Sequence, residues 1–264
     1  MNENFQAWFS ESKVVDKTGA PLVVYHSTFN DFSVFDATRD IGFHFGSASI
    51  ANKRVDEAVK GRGRGDEKWT GLCIKPVYLA IANPFHFPSD PIAWQPPYLL
   101  RLIGDAIPSE ERERILAMDV VAVASAHEEA ERLRQAGIDV RRKNVYGRIL
   151  VDLVQSRWVK VLAEARKDVY AEITAALVRA GFDGASYVNE VEGSGYGRAG
   201  RKKNADENMT WIAFTSHQVK SALGNSGRYD RTCADITDFA PAAAAALTAR
   251  DYLAKLGRHI APHA

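Results

Sequence analysis

Apolar positions along this chain recur at two spacings, and each spacing predicts its own kind of element. Phe5, Trp8 and Phe9 fall at helical intervals and predict an amphipathic segment over 5–12 whose aromatic stripe is core. Asp16-Lys17-Thr18-Gly19-Ala20 has turn chemistry, and the unbroken run Pro21-Leu22-Val23-Val24-Tyr25 then predicts a buried strand ending at His26. A second short strand is expected over 40–46, closed by Gly46, with a helix following from about Ser49 to Lys60. Leu72 to Ile81 is strand-like; Pro76 has no N–H to give a ladder and so predicts an edge strand or a bulge, and Asn83-Pro84 ends the run. Ser109 to Met118 and Ser125 to Gln135 predict two helices, the second with Ser125 and Glu128 spaced as a capping box and Gly137 at its C-terminus. Helical periodicity runs from Tyr146 to Ala180 with a break around Lys167-Asp168, and Gly181 terminates it. Asp183-Gly184 turns into a strand over 185–188, and a further strand is expected over 210–214. The alanine-rich stretch from Ala240 predicts a peripheral helix to about Leu256.

Short strands separated by helical and irregular stretches give an α+β class, with helices packed to one side of the sheets. Composition narrows the setting without naming a function. The chain has 264 residues, 46% hydrophobic and 25% charged, which suits a globular protein with a full core. Cys73 and Cys233 form no C-x-x-C pair, so neither a disulfide framework nor a zinc ribbon is indicated, and a reducing cytoplasm is the expected compartment. No basic-then-apolar leader and no apolar run of roughly 20 residues is present, which predicts neither a signal peptide nor a membrane span. The net charge of +1 gives no global attraction to nucleic acid, so any such contact has to come from local patches.

Three motifs are set aside on physical grounds. Gly195-x-Gly197-x-x-Gly200 spells a dinucleotide fingerprint, but Arg201-Lys202-Lys203-Asn204-Ala205-Asp206 offers no apolar face for the helix that such a loop must open. His26, His44 and His86 lack close ligand spacing, so no metal is expected. No G-x-S-x-G elbow supports serine hydrolase chemistry.

Other segments carry a resemblance. Leu22-Val23-Val24-Tyr25-His26-Ser27-Thr28, Ile41-Gly42-Phe43-His44-Phe45-Gly46-Ser47, and Trp211-Ile212-Ala213-Phe214 with Gln218-Val219-Lys220-Ser221-Ala222 resemble strands of the ADP-ribosyltransferase domains of phage polyvalent proteins, which are similar to the diphtheria-toxin and poly(ADP-ribose) polymerase branch. Trp8-Phe9, Asn83-Pro84, Gly181-Phe182-Asp183-Gly184 and Gly224-Asn225 support it. The resemblance implies a split β-sheet core over 1–235 with a helical insertion at about 105–180, leaving 236–264 as a helical tail. It also implies NAD as co-substrate, with nicotinamide released and ADP-ribose passed to an acceptor.

Cleaving nicotinamide from NAD develops oxocarbenium-like charge on the ribose, so a site must fix the nicotinamide and oppose that charge electrostatically. The branch resembled uses a first-strand histidine for ribose hydroxyls, a second-strand aromatic against nicotinamide, and a carboxylate on a later strand. These positions fall on His26, followed by Ser27 and Thr28, and on His44, flanked by Gly42, Phe43 and Phe45. The family more often has glycine where Ser27 stands and tyrosine where His44 stands. In a strand His44 faces away from Phe43 and Phe45, so its imidazole is the expected nicotinamide contact; a solvated histidine between two core phenylalanines is the other reading. The usual glutamate position falls on Thr210, which carries no charge. Glu192 in Asn189-Glu190-Val191-Glu192-Gly193 matches a glutamate of the phage family and ranks first as catalytic carboxylate, before Glu207 and Glu190.

The loop 193–204 is glycine-rich and cationic. Arg198, Arg201, Lys202 and Lys203 suit phosphates and Tyr196 suits an unpaired base, so RNA or single-stranded DNA is the favoured acceptor. Gly61-Arg62-Gly63-Arg64-Gly65 offers a second basic rim. A bacterial or phage toxin or effector, with room for an antitoxin partner, fits these features. A protein acceptor, or a degenerate module that only binds nucleotide or a partner, stays open.

Overall fold

The computed structural model describes residues 2–35, 40–61, 71, 73–91, 94–137, 157–190 and 208–239. The basic stretch 62–65, the loop 193–204, Glu192, Glu207 and the tail from Ala240 lie outside the described residues. The order is α1 (Glu3–Phe9), β1 (Val24–Thr28), β2 (Phe43–Phe45), α2 (Ala48–Gly61), β3 (Cys73–Leu79), β4 (Pro84–His86), α3 (Pro96–Ile103), α4 (Ser109–Gln135), α5 (Arg157–Ala165), α6 (Lys167–Arg179), β5 (Gly184–Val188), β6 (Met209–Ala213) and β7 (Val219–Ser221). The strands form two sheets, β1-β3-β7 and β2-β6-β5-β4, in which only β4 and β5 run parallel.

Alternation along the strands decides the layering. Val24, Val77, Leu79 and Val219 of the first sheet meet Phe45, Trp211 and Ala213 of the second in one core. On the other face of the second sheet, Ala185, Tyr187 and Ile212 pack against Leu99, Leu100 and Ile103 of α3, Ile115 and Ala122 of α4, and Ile173 and Leu177 of α6. The molecule is therefore α+β as expected, but its helices do not all pack to one side: Phe5, Trp8 and Phe9 of α1 pack with Tyr78 and Ala80 on the outer face of the first sheet, while α3, α4 and α6 cover the second. Among the described residues no helix is long and apolar enough to cross a membrane.

Several local expectations are corrected. The first strand does not stop at His26; it pairs with β3 through Thr28, whose hydroxyl then closes the strand by hydrogen bonding the backbone of Asn30. Pro76 sits in the middle strand, β3, rather than at an edge. It is tolerated because it lies at the end of the β7 ladder, where its carbonyl accepts from Ala222 N at 3.0 Å and no donor is demanded in return. The helices expected over 109–118 and 125–135 are one helix, α4. Its middle carries Asp119, which reads as a break in sequence but is buried in a two-bond pair with Arg166, Nε to Oδ1 at 2.7 Å and Nη2 to Oδ2 at 3.0 Å. Arg166 stands at the junction of α5 and α6, so the same pair fixes the break expected near Lys167. Strand β4 and helix α3 have too few residues, or too many prolines, to show a period in the sequence.

Gly42 is required by packing, not by a turn. A Cβ there would lie 2.5 Å from the carbonyl oxygen of Ala213 and 2.7 Å from Ile212 Cγ2. Gly42→Ala is expected to cost about 1–3 kcal/mol by forcing β2 off β6, read as a lower urea midpoint with an unchanged slope. An unchanged midpoint would contradict this close approach.

Candidate active site

The two sheets abut at their edge strands. Tyr25 N donates to Gly46 O at 2.8 Å and Gly46 N to Tyr25 O at 3.0 Å, so β1 and β2 join by a single bridge and then part. Because backbone groups alternate along a strand, Ser27 N–H and C=O point to the same side as those of Tyr25, into the gap beyond the bridge. The next main-chain acceptor on β2, His44 O, is taken not by that backbone but by the ring of His26, Nδ1 to O at 2.8 Å.

This contact fixes the state of His26. A carbonyl can only accept, so Nδ1 carries a proton, and in the neutral ring Nε2 keeps its lone pair. The ring lies among Phe35, Phe45 and Phe32, with centroid separations of 5.1, 5.5 and 6.3 Å. Burial pushes its pKa down to about 4, against the opposing pull of the His44 carbonyl, and the charges of Arg54, His44 and Lys75 act in the same downward direction as burial. His26 is thus a neutral hydrogen-bond acceptor at pH 7.

A depressed histidine pKa also makes a stability prediction. The unfolded chain takes up its proton near 6.5 and the folded chain only near 4, so this group's stabilisation is fully present above 6.5 and is lost as the pH falls to about 4. Urea unfolding at pH 7 and pH 5 is expected to show a smaller loss on acidification in His26→Gln than in the parent chain. Equal losses would mean that the ring is not held neutral.

His44 projects from the opposite face of β2. Phe43 and Phe45 both pack on Phe35, at 5.1 and 5.4 Å, whereas the His44 ring meets Trp94 edge-on at 4.6 Å and Tyr187 at 6.1 Å. Its Nε2 lies 3.1 Å from Asp40 Oδ1. Burial raises the Asp40 pKa, but the charge and hydrogen bond of His44, the Gly42 amide and the charge of Arg54 outweigh it and leave that pKa below its usual value. Trp94 holds a φ of +45°, a region that bulky residues avoid. Its backbone is pinned from both sides: its N–H donates to Pro91 O and its carbonyl accepts from Tyr170 Oη, each at 2.8 Å.

Of the sequence-predicted residues, His26, Ser27 and His44 therefore meet at one junction but divide over two faces, while Glu192 and Glu207 lie outside the described residues. His26 touches His44 through the main chain, and the two rings lie on opposite sides of β2. Phe45 is wholly buried beneath His26, so its side chain supports the ring from the core. Thr210 is buried on β6 and meets Asn189 Nδ2 at 3.5 Å. Glu190 is exposed, and its amide donates to the buried carboxylate of Asp90 at 2.7 Å. Asp40, Trp94, Tyr187 and Asp90 carry no motif spacing; only the fold brings them here. Among the described residues no group of histidine, cysteine, aspartate and glutamate side chains could hold a metal.

The residues at the junction fit NAD: a neutral imidazole acceptor for a hydroxyl, a free-facing donor and acceptor on Ser27 for a carboxamide, and aromatic rings around His44. Comparison with curated proteins and with solved structures gives no significant match. The family described as ADP-ribosyltransferase in polyvalent proteins matches residues 16–229, from the first turn through both sheets and past β7. The chain belongs to this family of ADP-ribosyltransferases, whose co-substrate is NAD.

Proposed function

We propose that the chain is a mono-ADP-ribosyltransferase that moves ADP-ribose from NAD to a macromolecular acceptor and releases nicotinamide. The observation that carries this reading is the state of His26: neutral, locked by the His44 carbonyl, with Nε2 left to accept from a ribose hydroxyl. Ser27 N–H and C=O face the same gap and suit the two ends of a carboxamide, with Thr28 closing the strand behind them. His44, Trp94 and Tyr187 supply an aromatic wall for the nicotinamide, and Asp40 steadies the His44 ring.

In the transfer, the bond between the nicotinamide nitrogen and the ribose carbon breaks with its electron pair going to nicotinamide. The acceptor nucleophile bonds to that carbon and gives up its proton. Glu192 is the carboxylate we assign to oppose the developing positive charge, ahead of Glu207 and Glu190; Thr210 supplies none. Asp90 anchors the Glu190 amide at the end of β5, where the segment carrying Glu192 begins.

The acceptor we assign is RNA or single-stranded DNA, because Arg198, Arg201, Lys202, Lys203 and Tyr196 combine phosphate-binding charge with a stacking ring just ahead of the last strand of the second sheet. A toxin or effector role in a bacterial cytoplasm fits that chemistry. The test is to incubate the protein with labelled NAD and, separately, total RNA, single-stranded DNA or a protein lysate. Label on nucleic acid that falls when the four basic residues become Ser supports the assignment. Label confined to protein, and unchanged by those substitutions, replaces it with the protein-acceptor reading.

A further inference from the structure

The segment 230–239 follows the part of the chain matched by the family, yet it is built into the core. Lys220 of β7 is completely buried and donates to Cys233 O at 2.8 Å, to Asp235 O at 3.3 Å and to the carboxylate of Asp238. Asn225 Nδ2 meets the other carboxylate oxygen of Asp238 at 2.8 Å, and Ser221 N donates to Ile236 O at 2.8 Å. A buried ion pair with all these bonds made fixes the segment as a strap along β7.

The strap meets the N-terminal part of the chain at two places: Arg231 donates to the carbonyls of Ala7 and Trp8, and Asp235 with Ile236 meets Ser33 and Val34. Asp235 Oδ2 accepts from Ser33 Oγ at 2.9 Å, Val34 and Asp235 form a bridge, and Ile236 N donates to Ser33 O at 2.8 Å. The other carboxylate oxygen of Asp235 is held by Thr237 N at 2.7 Å and by its hydroxyl. Ser33 lies between Phe32 and Phe35, whose rings meet each other at 4.8 Å and both face the His26 ring. The two phenylalanines are thus clamped over His26 from outside the motif that contains it.

We propose that Asp235 is a positioning residue for the NAD site: through Ser33 it holds Phe32 and Phe35 against the His26 imidazole and so sets the direction of Nε2. The proposal rests on the reading of His26 as the ribose ligand. Without the clamp the ring admits water and turns away from the His44 carbonyl, which weakens substrate binding more than it slows the chemical step.

Asp235→Ala and Ser33→Ala in the 264-residue chain are to be compared with Ser33→Thr, which keeps the hydroxyl. Nicotinamide release is expected to show KM for NAD raised about tenfold in both alanine variants, with kcat within about threefold and Ser33→Thr near the parent value. Imidazole NMR is expected to show the His26 midpoint moving up from about 4 toward the ordinary histidine range in the alanine variants, while its charged neighbours Arg54, Lys75 and His44 are unaltered. Should Asp235→Ala fail to fold, Ser33→Ala gives both readings alone. A folded variant with unchanged KM and unchanged titration overturns the proposal, as does a loss of thermal stability and kcat with KM constant. If His26→Ala loses turnover while these variants behave as the parent, only this inference falls. If His26→Ala turns over normally, the NAD reading falls and takes this inference with it.

Discussion

His26→Ala is expected to lower NAD turnover by on the order of 10²–10³-fold, the usual cost of removing one positioned hydrogen-bonding group from a preorganised site. The substitution removes the imidazole that bonds the His44 carbonyl and packs on the Phe45 ring across the split. The strand itself is held by five paired positions with β3, so β1 is expected to stay in place. Circular dichroism should therefore be little changed while nicotinamide release collapses. Turnover within threefold of the parent in a folded His26→Ala protein would remove His26 from the site.

Glu192→Gln is expected to reduce transfer by a similar factor, on the order of 10²-fold or more, while NAD affinity stays near the parent value. The amide keeps the shape of the side chain and loses the charge that opposes the cationic ribose in the transition state, so kcat falls and binding does not. Glu207→Gln is expected to do less. The reverse ranking would move the carboxylate to the position next to β6, and loss of NAD affinity in Glu192→Gln would make that residue a ground-state ligand.

Much of the scaffold was legible because the relevant signals are local. The apolar run before His26, the alternation of Phe43, His44 and Phe45, and the spacing of Trp211 to Phe214 each describe one strand, and a strand is found at each, the first displaced to Val24–Thr28. The division of faces on β2 followed from the same alternation. What stayed hidden depends on contacts distant in sequence. Asp119 reads as a polar interruption until Arg166, far along the chain, neutralises it inside one continuous helix. Pro76 reads as an edge marker until the short extent of β7 is known. Trp94 has no periodic context, and its positive φ is imposed by Pro91 and Tyr170. The carboxylate at Asp40 acquires a partner only once β2 turns His44 back over it.

That dependence explains why the histidines could be named as candidates from the sequence and their surroundings could not. A residue type at the end of a strand can be read from a motif, but the tautomer and charge of His26 follow from a carbonyl and three phenylalanine rings that only the folded chain assembles. The same folding step puts the rings of His26 and His44 on opposite sides of one strand, so in the function we propose the nicotinamide wall and the ribose acceptor act from different directions.

Whether this junction cleaves NAD is measured directly as nicotinamide released from NAD by the 264-residue chain in the presence of total RNA, single-stranded DNA and cell lysate, followed beside His26→Ala. Steady release by the parent chain is expected, with a loss on the order of 10²-fold or more in the variant. NAD recovered intact from the parent chain under every one of those conditions would contradict it and leave a module that binds without catalysing.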